Sequence, residues 1–199
     1  MKKLQSKLLS LAFLSISSIA FSQFQFGVKA GAGLSNTTVV HGISKERIGL
    51  LAGVVGKYQL SSNTEDHYLQ AEVLYTNQGE FSVDRAGNKY KAFVDYVNIP
   101  IMYKFYFDDQ GSDFFLEAGP QVGFVISDNI DPLGPEASNN ILKSFDLAAN
   151  VGVGYSYQRK FELNVRYGVG LIDTYGYDRW DNDSNRTSFL SAALTYYIN

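Results

Sequence analysis

Between Lys160 and Ile172 the sequence alternates without a break. Phe161, Leu163, Val165, Tyr167, Val169 and Leu171 fall on one parity, and Glu162, Asn164, Arg166, Gly168 and Gly170 on the other. Successive side chains of a β-strand point to opposite faces. The stretch therefore predicts a strand with one apolar and one polar side. It is longer than most strands of soluble domains, and a tilted strand of about 9–11 residues crosses a bilayer. The expectation is that the apolar side faces lipid and the Glu/Asn/Arg/Gly side faces the inside of a small barrel.

The same period recurs along the chain. It predicts eight strands, near 24–35, 47–60, 66–79, 90–107, 112–127, 143–158, 160–172 and 187–198. The connections after the second, fourth and sixth are short. Polar loops near 36–45, 80–89, 128–142 and 174–186 join the others. Short turns at one end and long loops at the other are the pattern of outer-membrane barrels, with the turns and both termini in the periplasm. The fold class expected is all-β, an eight-stranded antiparallel up-and-down transmembrane β-barrel. Tyr58, Phe105, Phe107, Phe114, Tyr155, Tyr157, Phe161 and Tyr196 cluster near the short turns, as an interfacial aromatic girdle would. Two features break the alternation. Asp95 has outward parity, so that end either rises above the bilayer or carries a bulge. Pro100 removes a ladder bond and predicts a bulge or kink.

The first 22 residues read as an export signal. Lys2, Lys3 and Lys7 precede the apolar run 8–21, and Ala20-Phe21-Ser22 offers a cleavage site. The barrel domain is then 23–199. Setting those three lysines aside leaves 14 of the 17 basic residues against 20 acidic ones, which excludes a natural nucleic-acid binder. The absence of cysteine excludes a disulfide framework and thiolate metal sites. Nothing in the sequence calls for a cofactor.

A soluble eight-stranded barrel of lipocalin type is the main competitor. There the apolar face would be inside and the charged face in water. Here the charged face is also the face rich in glycine. An eight-stranded lumen is only wide enough for side chains, so glycine relieves crowding on the inside and has no such use on a solvent face. The sign of the faces therefore favours the membrane, where every backbone polar group must be paired within a closed barrel.

On that parity four bases point inward, Lys29, Lys57, Lys104 and Arg166, and so do four acids, Glu72, Glu117, Asp146 and Glu162. Buried charges must be paired, which predicts a salt-bridged plug filling the lumen. The loops are the candidate contact surface. Tyr175, Tyr177 and Trp180 could meet a protein partner or lipopolysaccharide head groups. Asp181 and Asp183, with Asn185, are spaced like the opening of a calcium loop, but Arg186 stands where the glycine belongs and no Glu closes it, so no metal site is expected. Loops 128–142 and 173–186 are acidic, and such a rim would hold anionic lipid poorly without divalent cations. Only two histidines exist, His41 and His67, at opposite ends of the expected barrel. No catalytic triad can be drawn from them; His41 with Ser44 is the one conceivable start.

Tyr96-Val97-Asn98-Ile99-Pro100-Ile101-Met102-Tyr103-Lys104-Phe105 resembles the strand-four signature of the PorT-type outer-membrane β-barrel proteins of Bacteroidota. Phe115-Leu116-Glu117-Ala118-Gly119-Pro120-Gln121-Val122-Gly123 and Arg166-Tyr167-Gly168-Val169-Gly170-Leu171-Ile172-Asp173 extend the likeness across the chain. The resemblance implies an architecture like that of the OmpA and OmpX barrels and, for the founding member, a link to protein secretion. The C-terminus departs from the commonest assembly signal, since it ends Tyr196-Tyr197-Ile198-Asn199 without a terminal Phe. The resulting expectation is a non-enzymatic outer-membrane protein, structural or interacting through its loops. The alternatives are a secretion accessory and a lipid A-modifying enzyme.

Overall fold

The computed structural model describes residues 24–38, 44–60, 66–84, 86–108, 110–134, 142–174 and 186–198. Eight antiparallel strands close into a barrel in sequence order: β1 (Phe24–Thr38), β2 (Ser44–Gln59), β3 (His67–Val83), β4 (Lys89–Tyr106), β5 (Asp113–Ile130), β6 (Phe145–Tyr157), β7 (Phe161–Gly170) and β8 (Arg186–Tyr197). β1 pairs with β8 from Gly27 opposite Tyr197 to Thr38 opposite Arg186, so no sheet edge is left open.

The period of 2 sets the two surfaces. On β7, Phe161, Leu163, Val165 and Tyr167 are exposed while Glu162, Asn164 and Arg166 are buried. On β3, Leu69, Val73 and Tyr75 are outside and Gln70, Glu72 and Thr76 inside. The interior is thus more polar than the exterior, the reverse of a soluble barrel. Apolar side chains share the interior, among them Leu51 and Val55 on β2, Leu74 on β3, Val94 and Met102 on β4 and Phe115 on β5. Outward aromatics pair in the turn-end ring, Phe114 with Tyr155 and Phe161 with Tyr196, at centroid distances of 5.0 and 4.9 Å.

The wall is uneven. β3, β4 and β5 have 17, 18 and 18 residues, whereas β6 and β7 have 13 and 10. The expected loop 80–89 is half strand: β3 runs to Val83 and β4 starts at Lys89. Glu80 and Ser82 look like loop residues by composition, but they keep the inward parity and are buried. Asp128–Ile130 likewise belong to β5.

Two bulges shape this tall side. β2 carries one extra residue against β3 between Glu46 and Leu51. β5 carries one against β4, opposite Asp95/Tyr96. The second is the irregularity that Asp95 foretold, placed on the neighbouring strand. At Pro100 the expected break in the ladder is present but the bulge is not. The β3–β4 ladder skips from Ala71 opposite Ile101 to Leu74 opposite Asn98 in unchanged register, so the proline interrupts pairing without a bulge.

At the turn end, β6 and β7 are joined by Gln158 and Arg159, both with positive φ (55° and 53°), and the Lys160 N–H donates to the Tyr157 carbonyl at 3.1 Å. This is the mirror-image turn that suits strand twist and that usually takes glycine or asparagine. Its strain is offset by what it places. The Arg159 N–H donates to the Gly111 carbonyl at 2.7 Å, and its guanidinium lies 3.8 Å over the Tyr106 ring and donates to the Asp108 carbonyl at 2.9 Å.

Candidate functional site: the charged lumen

One row across the sheet explains how the lumen is wired. Lys104 stands opposite Glu117, Glu117 opposite Gly152, Gly152 opposite Arg166, and Arg166 opposite Ser191. Glycine in that row leaves space for Arg166 to reach over it. A Cβ on Gly152 would sit 2.8 Å from Glu117 Oε1. Arg166 Nε donates to Glu117 Oε1 at 2.8 Å, while Nη1 and Nη2 donate to the two oxygens of Glu72 at 3.0 and 2.7 Å. The fork of a guanidinium matches a carboxylate in this way. Lys29 Nζ lies 3.0 Å from Glu72 Oε1, so one carboxylate serves two cations.

Nearer the turns, Glu162 is the hub. Lys57 Nζ approaches its Oε1 at 2.9 Å, Lys104 Nζ bonds its Oε2, and the Tyr106 and Tyr197 hydroxyls donate to it at 2.5 and 3.2 Å. Lys104 also reaches Gln70 Oε1 at 3.1 Å and lies 3.8 Å from Glu117 Oε2. The Tyr197 hydroxyl shares its one proton between Glu162 and the nearer Gln70 Oε1, at 2.6 Å, and Asn164 Nδ2 donates to Glu117 at 2.8 Å. Aromatic faces close the base, with Lys57 4.0 Å over Tyr197 and Lys104 4.0 Å over Phe115. Lys57, Met102, Tyr106 and Tyr197 are fully inaccessible to solvent.

The structure thus brings together Lys29, Lys57, Lys104, Arg166, Glu72, Glu117 and Glu162. Asp146 is not among them. It is buried, accepts a hydrogen bond from the Thr187 hydroxyl at 2.9 Å, and its Oδ1 has no partner among the described residues. The connected cluster therefore holds four cations and three carboxylates rather than a balanced set. The charge-based reading missed Tyr106, Tyr197, Gln70, Asn164 and Arg159, which complete the shell. The same parity count places all but Arg159 inside. It missed Glu80 too, which is buried on β3 and accepts from the Thr37 N–H at 3.0 Å.

Above the network lies a cavity of about 20 Å³ bordered by Lys29, Asn98, Asn150, Asn164 and Arg166. That is room for about one water. Among the described residues no group of three or more His, Cys, Asp or Glu could hold a metal ion. His67 sits on the outside at the turn end, with Nδ1 2.5 Å from the Tyr103 hydroxyl and Nε2 3.6 Å from Asp66. His41, Tyr175, Tyr177, Trp180, Asp181 and Asp183, and the segment 1–22, lie outside the described residues.

The sequence profile of the family described as "Outer membrane protein beta-barrel domain" matches residues 13–176. The chain belongs to this family. It is an outer-membrane β-barrel, and its outward apolar face therefore meets lipid. Several solved structures share the fold, two of them as follows. Neisserial surface protein A is 18% identical, with 86% of this chain and 96% of that chain covered and a TM-score of 0.50. The outer membrane enzyme PagL is 14% identical, with 85% and 98% covered and a TM-score of 0.50. At such identities the likeness is one of fold. No curated protein matches in sequence.

Proposed function

We propose that this outer-membrane barrel is a sealed, non-enzymatic scaffold that presents its loop end outside the cell as a structural or interaction surface. One observation carries the reading: cross-lumen ion pairs, such as Lys57–Glu162 between β2 and β7, fill the inside of the barrel. The cavity beside Lys29 and Arg166 holds about 20 Å³, too little for a hydrated solute, which supports a closed lumen at that level. Specificity then belongs to the loops, with Tyr175, Tyr177 and Trp180 as contact candidates. In this reading residues 1–22 are removed on export, and the termini and short turns lie in the periplasm. The partners are outer-membrane lipid and lipopolysaccharide, with a protein at the loops or turns. No cofactor is needed. Planar-bilayer recording tests the seal: purified barrel should give no stable conductance steps, and large persistent openings would overturn it.

A second reading rests on the PorT-type likeness of residues 96–105: an accessory of a protein-secretion machine. It predicts co-purification of a stoichiometric partner from solubilised outer membrane, whereas a free scaffold would elute alone. The third reading, a lipid A-modifying enzyme, has little support. His67 has an aspartate and a tyrosine beside it, but no serine or threonine hydroxyl bonds to it among the described residues. Lipid A profiles should be unchanged by His41→Ala and by His67→Ala; a lost modification would restore the enzyme reading.

A further inference from the structure

We propose that the outer flank of β2–β4 at the loop end binds the phosphate of an anionic glycolipid, lipid A, through Lys45, Lys89 and Lys91 around the Phe81–Phe93 ring pair. Register puts these residues together. Lys45 stands opposite Phe81 and Phe81 opposite Lys91, one row below Val83 opposite Lys89. Glu80 and Ser82 are buried in the lumen, so Phe81 points out, and its row partners Lys45 and Lys91 share its face. The two rings meet edge to face at 5.1 Å. All three lysines are exposed, and none forms an ion pair among the described residues.

The β2 bulge adds a fourth cation. With one extra residue between Glu46 and Leu51, Arg47 can lie outside together with Ile48. Its guanidinium sits 3.8 Å over Phe93, donates to the Gln78 carbonyl at 2.5 Å and lies 4.0 Å from Asp95. Asp95 is already engaged by the Tyr75 hydroxyl at 2.7 Å and by Asn77 at 2.8 Å. The other acid on that face is Asp131, whose N–H donates to the Lys91 carbonyl at 2.8 Å. Exposed Glu46, opposite the inward Glu80, has the lumen parity, and Asp84 is engaged by Ala86 and Asn88 within its own turn. On the outer face, four cations against two carboxylates leave a positive flank, the opposite sign to the acidic rim read from the loops.

Height decides the occupant. From Phe105, in the turn-end girdle, to Asp95 is ten residues of β4, about 33 Å along the strand at ~3.3 Å per residue. Tilted by 35–45°, that is roughly 25 Å across the membrane, the height of the apolar band of such barrels. Asp95 and Arg47 thus mark its upper border. Lys91, four residues further on, stands in the head-group layer, where flexible stems let lysines reach down to it. Phosphates are the anions found at that level, and Phe81 and Phe93 can rest on the sugar and upper acyl carbons below them.

The inference rests on the loop end facing outward, as proposed above. The test separates the two. Mature barrel in maltoside detergent, free of phosphate head groups, is titrated with bis-phosphorylated lipid A and with its dephosphorylated form, read by native mass spectrometry. Wild type should prefer the phosphorylated lipid by about tenfold or more. Lys45→Gln/Lys91→Gln, and the triple variant with Lys89→Gln, should bring both lipids to the same weak level. Lys143→Gln/Lys160→Gln should keep the preference. Heat-modifiable gel mobility establishes that each variant is folded. Equal binding of both lipids by wild type, or a preference that survives the triple variant, overturns the proposal. Inorganic phosphate that competes at the affinity of lipid A also overturns it, as a free-phosphate site. Orientation is read independently, by protease access to the loops in whole cells.

Discussion

In the half of the lumen near the short turns, Glu162 is held by Lys57, Lys104, Tyr106 and Tyr197. In the half near the loops, Asp146 has the Thr187 hydroxyl, a bare Oδ1 and no ion-pair partner among the described residues. Both carboxylates are buried and both point into the same barrel. The turn half lies under all eight strands, so cations can arrive from several walls at once: β2 and β4 at Glu162, β1 and β7 at Glu72. β7 stops at Gly170, and beyond it the described residues of the β6–β7 wall are joined by isolated backbone bonds, Leu171 N–H to the Leu147 carbonyl and Lys143 N–H to the Thr174 carbonyl. The pairs that staple distant strands therefore stop there too, and single hydrogen bonds replace them. Among the described residues, the cross-lumen ion pairs are concentrated at the end away from the proposed contact surface.

The same chemical change in the two halves should have opposite effects. Glu162→Gln leaves two buried ammonium groups without their carboxylate. Breaking a buried pair from one side costs about 3–5 kcal/mol, so this variant should lose most of its resistance to urea in lipid vesicles, read by gel mobility. Asp146→Asn removes a charge that has no cation partner among the described residues. It should leave the unfolding midpoint where it is or raise it, and a loss comparable to that of Glu162→Gln would break the comparison. Between them lies Gly152→Val. Its Cβ would sit 2.8 Å from Glu117 Oε1, and overpacking of that kind costs about 1–3 kcal/mol. If Gly152→Val proved silent, glycine would not be what makes room for Arg166 to cross.

The strands and their faces were legible because side-chain direction along a strand is locked to parity, and eight alternating runs leave little freedom. Lys29, Glu72 and Arg166 could be placed inside from that alone. Composition misled at the tall wall, where Glu80 and Ser82 suggested a loop although the alternation continues through them. Charge counting misled at Asp146, because balance in number says nothing of height along the barrel. Arg47 was invisible as an outward residue, since a bulge moves a side chain from one face to the other without altering composition. Pro100 suggested distortion, yet the neighbouring strand accepts a gap in the ladder.

The smallest effect belongs to the far tip of the loop end, the hairpin between β3 and β4. Asp84 Oδ1 accepts from the N–H groups of Ala86 and Asn88 at 2.9 and 2.8 Å, and Oδ2 from Asn88 Nδ2 at 2.9 Å and the Tyr90 hydroxyl at 3.2 Å. These bonds, that from the Asn88 side chain first, hold the carboxyl below its ordinary range. A depressed folded value means the turn is fully supported above the ordinary carboxylate range and loses support as pH falls through the folded value. Nothing should change between pH 6 and 8. Below about pH 4, where a free Asp takes up its proton, amide exchange at Ala86 and Asn88 should accelerate while Glu162 and its partners stay protected. Asp84→Asn should show the fast exchange already at pH 7, with no shift of the global midpoint. A tip that loosened the barrel as it protonated would contradict the claim that stability resides at the turn end.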